Sequence, residues 1–324
     1  MENSKNIDVL LIGAGPMAIS HAQVLQSLNL KFIVVGRSKQ SANSFQEKTK
    51  INVITGGINK WLSNNKVCPK YAIVAVTGTQ LGNVTRALIN HGMKNILLEK
   101  PGGLNNDDIK PVADSAKKSD SNVLLGYNRR FYSSTLKVKE IIAEDGGVNS
   151  YYFEFTEWPH TIVPLRKDPE VKKRWLLHNS THVIDLAFYL GGEPGEIHSY
   201  SKGGFDWHPD GTIFTGAGVS KSGALFSYHS NWDAPGRWGV EILTQRHRLI
   251  FRPLEKLQIQ KLKSVVIEEV RIDDQLDIKF KPGLYRQLKA FLEGNTNTFI
   301  NINQHASRLK IFDCICKGGS VYEK

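Results

Sequence analysis

Residues 7–12 are an apolar run broken only by Asp8, and they lead straight into Gly13-Ala14-Gly15-Pro16-Met17-Ala18. Such a run ahead of a G-x-G-x-x-A turn predicts a buried strand, a tight turn and a helix to about Leu28, with a second strand over 31–35. Few folds accept that order. Gly13 permits the turn, Gly15 lets the backbone approach a pyrophosphate, and Ala18 allows helix and strand to pack closely. The stretch therefore reads as the start of a Rossmann βαβ unit that binds a dinucleotide.

The alternation continues. A helix over 42–49, strands over 52–54 and 71–76, a helix over 81–91, a strand over 95–98, a helix over 106–119 and a strand over 122–125 predict a doubly wound parallel sheet. After Gly126 the pattern changes to alternating segments at 150–156, 195–201, 212–219, 224–230, 239–243, 248–251, 256–262 and 265–272, with helices over 133–144, 181–190, 283–293 and 303–317. The expected fold class is α/β. Residues 1–126 would form a dinucleotide-binding Rossmann domain. Residues 127–324 would form an α+β domain with a large, mostly antiparallel open sheet, used for substrate binding and oligomerisation, whose last helix could pack back on the first domain. A chain of 324 residues with 40% hydrophobic content accommodates two such cores.

Two strand ends carry chemistry. In Ile96-Leu97-Leu98-Glu99-Lys100-Pro101, the acid and the lysine follow a strand buried on both faces, and ligands of open α/β sheets collect at carboxyl ends. Pro101 holds Lys100 toward an extended conformation, which aims it at a ligand; a solvated loop lysine is the competing reading. The second predicted strand ends in Val35-Gly36-Arg37-Ser38-Lys39, with no acid to meet an NAD ribose. Arg37, Ser38 and Lys39 suit the 2′-phosphate of NADP, although Ser38 equally fits a helix cap.

Charge and cysteine usage narrow the class. The net charge of +11 and pI of about 9.4 come from scattered basic residues without a helix-turn-helix, zinc-finger or RNP pattern. That argues against nucleic acid and for anionic cofactors or substrates. Cys68, Cys314 and Cys316 have no C-x-x-C spacing, which supports neither a disulfide framework nor a zinc site. No segment has the roughly 20 apolar residues of a membrane span, and Met1-Glu2-Asn3-Ser4-Lys5-Asn6 carries no export pattern, so a cytoplasmic protein is expected.

Four ordered stretches, namely the fingerprint, Glu99-Lys100-Pro101, Gly126-Tyr127-Asn128-Arg129-Arg130-Phe131 and Thr181-His182-Val183-Ile184-Asp185-Leu186, resemble the glucose–fructose oxidoreductase / inositol dehydrogenase / MocA (Gfo/Idh/MocA) family over nearly the whole chain. The resemblance implies an NAD(P)-dependent oxidoreductase. It would move a hydride between a nicotinamide and a secondary alcohol or ketone of a sugar, nucleotide sugar or cyclitol, as a homodimer or homotetramer. Lys100 and His182 are the implied catalytic pair: a histidine can take the hydroxyl proton, and a lysine ammonium can stabilise the alkoxide. The cofactor, NADP with NAD as the alternative, would meet Gly13, Gly15, Pro16, Met17, Arg37, Ser38, Thr77, Glu99 and Lys100. Candidate substrate contacts are His178, Asn179, Tyr127, Arg129, Trp158 and Arg174.

One departure stands out. Many members place an aspartate four residues before the histidine, and this chain has His178 there. Asp185 is expected to orient the helix or the imidazole. A metal held by His178, His182 and Asp185 is not expected, since no glutamate follows either histidine as a general base. The competing function is a non-catalytic, dinucleotide-binding regulatory relative.

Overall fold

Short apolar segments, fully buried in the central strand and less so toward the β3 edge, build the first sheet. β1 (Val9–Ile12), β2 (Phe32–Val35), β3 (Val53–Ile54), β4 (Tyr71–Val74), β5 (Asn95–Leu98) and β6 (Asn122–Leu125) run parallel in the order β3-β2-β1-β4-β5-β6. The crossovers are α1 (Pro16–Ser27), α2 (Lys39–Thr49), α3 (Gly57–Asn64), α4 (Leu81–Asn90) and α5 (Asn106–Lys118). The structure, a computed structural model, describes residues 7–66 and 68–323. The first six residues, on which the expectation of no export pattern rests, lie outside the described residues.

Two of these crossover helices differ from expectation for local reasons. α2 begins at Lys39 rather than near residue 42 because Ser38 caps it, its hydroxyl accepting from the Ser41 amide at 3.2 Å. α3 has only eight residues and was not anticipated, yet Ile58, Trp61 and Leu62 sit at helical spacing on its buried side.

The second sheet has nine strands: β7 (Ser150–Phe155), β8 (Pro194–Lys202), β9 (Ile213–Ser220), β10 (Leu225–Asn231), β11 (Trp238–Leu243), β12 (His247–Phe251), β13 (Gln258–Lys261), β14 (Ile267–Glu269) and β15 (Gly319–Tyr322). Their order is β14-β13-β12-β11-β7-β10-β9-β8-β15; only β7 and β10 pair in parallel. Helices α6 (Ser133–Glu144), α7 (Pro159–Ile162), α8 (Pro169–Lys173) and α9 (Thr181–Gly191) belong to the same unit. α9 packs on β7 and β11. Between them lies an aromatic core in which Phe153 meets Phe188 edge-on at 5.6 Å and stacks on Tyr228 at 5.1 Å. The register puts Tyr200, Thr215, His229 and Glu154 in one row on the opposite face.

The remaining helices are α10 (Gln275–Lys279), α11 (Leu284–Leu292) and α12 (Ile302–Lys317). The chain divides into two compact units, Met1–Asn128 with Leu276–Ser307 and Arg129–Gln275 with Arg308–Lys324. Residues 276–307 thus count with the parallel sheet. The Leu292 carbonyl accepts from the Tyr71 hydroxyl at 2.7 Å, and Ile300 extends β6 by accepting from the Leu125 amide at 2.9 Å. The α/β fold with a Rossmann sheet followed by a mostly antiparallel second sheet is the one the sequence predicts.

Candidate active site

Strand order reverses between β1 and β4, and the turns that follow those strands open at this switch point, where open α/β sheets bind ligands. Gly13 has φ +122°, and a Cβ there would stand 2.2 Å from the Ala75 carbonyl oxygen, so only glycine fits. Gly15 differs: a Cβ there would meet nothing within 4 Å. It precedes α1, whose first turn has no side-chain cap and carries Pro16 at its start, leaving backbone N–H groups for an anion. This cradle fits a dinucleotide pyrophosphate. Met17 is half-buried in the same turn, and Thr77 is exposed after β4, 3.4 Å from the Thr79 hydroxyl.

Beyond β2, Arg37 and Lys39 are exposed. The Ser38 hydroxyl is engaged in its cap and lies 2.8 Å from the Ser41 hydroxyl. Of the two readings open for Ser38, the cap is the one the structure displays.

Lys100 sits half-buried between two fixed neighbours. The buried His21 ring donates to the Glu99 carboxylate at 2.9 Å, and the buried His305 ring donates to the Pro101 carbonyl at 2.9 Å. The Lys100-Pro101 peptide is cis. Tyr127, expected at the wall of the site, is buried in this unit with its ring tilted against His305 at 5.7 Å.

In the second unit, His178 and Asn179 lie in a π-helical turn, Leu176–Ser180, that runs directly into α9. Such turns are rare and recur at functional sites because the extra residue re-aims the side chains. His178 is buried and His182 is half-buried, its ring 6.3 Å from that of Trp238. Asp185 lies three residues on. Its carboxylate accepts from Arg130 Nε at 2.8 Å and Nη2 at 2.6 Å and from Arg308 Nη1 at 2.5 Å, which fixes α9 from both sides. Burial alone would push this carboxyl up, but the two guanidiniums outweigh it and hold it below the usual range. Asp185 is thereby spent on the helix.

The structure adds two residues that sequence reasoning missed. Glu157, buried just beyond β7, accepts from Ser180 Oγ at 2.8 Å and from Asn179 Nδ2 at 3.0 Å to each oxygen. Burial pushes its carboxyl up, and the Ser180 and Asn179 donors and Arg237 reverse this only in part. The Asn179 amide is therefore turned onto Glu157. Arg237, exposed ahead of β11, is the second: its guanidinium carbon lies 4.5 Å from the Trp158 ring centroid and 4.6 Å from that of Trp238. Arg129 stacks on Trp238 as well, at 4.8 Å. Arg174 instead pairs with Glu170 at 2.7 Å along its own helix.

Residues 7–127 match the family described as GFO_IDH_MocA, oxidoreductase family, NAD-binding Rossmann fold. Residues 7–127 are thus similar to the Rossmann domain of the Gfo/Idh/MocA oxidoreductases. The motif order predicted that resemblance. Oxidoreductase P35 of Formosa agariphila is 29% identical over 277 residues, covering 80% of this chain and 84% of the relative. Myo-inositol 2-dehydrogenase of Thermotoga maritima is 27% identical over 138 residues, 40% of this chain and 36% of the relative. A solved levoglucosan dehydrogenase in complex with NADH shares the fold, with a TM-score of 0.77, 16% identity and 96% of each chain covered. The match over the first sheet is accordingly to an NAD-binding oxidoreductase family. Among its described residues no helix is long and apolar enough to cross a membrane.

Proposed function

We propose that the protein is a cytoplasmic NAD(P)-dependent dehydrogenase or reductase acting on a secondary alcohol or ketone of a sugar, nucleotide sugar or cyclitol. The observation that carries the reading is the open Gly15 turn at the uncapped start of α1, within a domain matched by an NAD-binding oxidoreductase family. Gly13, Gly15, Pro16, Met17 and Thr77 hold the dinucleotide. Arg37 and Lys39 favour NADP by meeting a 2′-phosphate. When bound, the nicotinamide supplies the hydride chemistry.

The protein's own groups handle the proton and the charge. His182 takes the hydroxyl proton, since an imidazole titrates in the useful range. Lys100, fixed through its neighbours Glu99 and Pro101, stabilises the developing alkoxide with its ammonium group. Glu157 positions the turn that carries His178 and Asn179. Residues 1–126 supply the cofactor domain, and the open sheet of the remainder builds a homodimer or homotetramer. The experiment is nicotinamide absorbance during incubation with NADP⁺ or NAD⁺ and a panel of sugars, nucleotide sugars and cyclitols, run with wild type, His182→Ala and Lys100→Ala. Each variant should slow turnover by roughly 10²–10⁴-fold with cofactor affinity nearly unchanged. Full turnover in His182→Ala would reject its role.

A further inference from the structure

The cluster around Trp238 contains a guanidinium whose donors are not used. Arg237 follows Gly236, where a Cβ would stand 2.4 Å from Glu154 Oε1, so the glycine lets the chain close on the end of β7. That approach is locked from both sides. The Gly236 carbonyl accepts from Trp158 Nε1 at 2.7 Å, and the Arg237 amide donates to Glu154 Oε1 at 3.2 Å. The side chain then lies against the Trp158 and Trp238 indoles at the distances given above. Stacking uses the faces of a planar guanidinium and leaves its in-plane N–H groups free to donate.

Those N–H groups find no hydrogen-bond partner among the described residues. The nearest carboxylate, Glu157, is 3.9 Å away, beyond hydrogen-bond reach, and its oxygens are taken by Ser180 and Asn179. The other nearby acid, Glu154, pairs with Arg252 at 3.0 Å. Arg129 is close enough for Arg237 to weaken its charged form, on top of the larger effect of burial, and a guanidinium remains charged all the same. Two cations therefore share one indole, and one of them is 45% exposed beside the partly exposed Trp158. The same Trp238 ring approaches His182.

We propose that Arg237 receives an anionic group of the substrate, so that this enzyme acts on a sugar acid or sugar phosphate in preference to the neutral sugar. Prior immobilisation of the guanidinium lowers the ordering cost that an unrestrained side chain would meet on binding. The inference deepens the proposed function and rests on it for the identity of the reacting group, but not for the binding preference itself.

The test is calorimetric titration of matched ligands into the full chain, without cofactor and again with NADPH: glucose, glucuronate and glucose 6-phosphate, and the galactose and mannose counterparts. An anionic member of at least one set should bind about tenfold or more tightly than its neutral partner, as a charge-assisted bidentate contact requires. The carboxylate and phosphate arms identify which anion is meant. Arg237→Gln should reduce that preference to within about twofold, and Arg237→Lys should retain part of it. Thermal melting of both variants checks the fold. Equal affinity for neutral and anionic members, no binding by any anion, a preference that survives in Arg237→Gln, or a loss confined to NADPH affinity would each overturn the assignment. Absence of turnover with preserved anion preference would instead count against the proposed reaction.

Discussion

Asp185→Asn removes a charge from the most enclosed ionic cluster in the second unit. The carboxylate is 1% exposed, and its partners Arg130 and Arg308 are 5% and 7% exposed, so all three groups have left water. Replacing the carboxylate by an amide keeps the shape but leaves two buried guanidiniums without their shared counter-charge. Breaking a buried pair in this way costs about 3–5 kcal/mol. The lower end applies, because Arg308 keeps Glu193 and Arg130 keeps the Tyr189 ring at 4.6 Å. For a unit of this size a loss of about 3 kcal/mol corresponds to roughly 6–12 °C in melting temperature. Urea unfolding followed by tryptophan fluorescence is the assay, since only Trp61 of the six tryptophans lies outside the second unit.

The pH dependence supplies an independent sign. The folded pKa of Asp185 lies below the unfolded value of about 3.9, so its stabilisation is present above that pH and is lost as pH falls through the folded pKa. Wild type should therefore lose stability in that acid window more steeply than Asp185→Asn. A midpoint within error of wild type at pH 7, or equal acid slopes, would refute the reasoning. Glu140→Gln, which breaks the exposed Lys137–Glu140 pair, serves as the control and should leave the midpoint unmoved.

Gly15→Ala should change stability by no more than about 1 kcal/mol, since its Cβ meets nothing within 4 Å, while weakening dinucleotide binding by about tenfold or more. Fluorescence titration with NADPH checks it, and unchanged affinity would remove the cradle. Arg37→Ala should weaken NADPH binding by about 10- to 100-fold and NADH much less, because only NADPH carries the 2′-phosphate; equal weakening of both would reject the preference. Light scattering at micromolar concentration should show a dimer or tetramer. The outer sheet face exposes Tyr200 at 73% and Leu225 at 61%, but also the Arg252–Glu154 and Arg248–Glu241 pairs, so the association should weaken with salt. A monomer at every salt concentration would count against it.

Continuous apolar strands and long periodic helices were legible in the sequence because each reports its own burial. The strands Asn95–Leu98 and Asn122–Leu125 and the helix Ser133–Glu144 fall where the residue pattern puts them, bounded by caps or strand-end polar residues. Short helical turns were not, since α7, α8 and the π-helical turn have neither a continuous apolar run nor a window in which a helical period can be counted. β15 was missed for a different reason: Gly319–Tyr322 is a strand only because β8 offers it an open edge.

The site divides along the same line. The Gly13–Ala18 turn and the Glu99-Lys100-Pro101 stretch are contiguous, and their chemistry could be argued from neighbours in sequence. Glu157 acquires its role from Asn179, 22 residues away, and Arg237 acquires its position from Trp158, which lies 78 positions before Gly236. In one dimension Glu157 is the polar residue ending an alternating strand, and Arg237 is a loop cation among many in a basic chain. Folding gives them opposite electrostatic fates. Burial pushes the acid toward its neutral form, whereas a guanidinium stacked on indoles keeps its charge and its donors. A cluster that turns its carboxylate onto Asn179 and Ser180 and leaves its guanidinium donors open is built to receive negative charge.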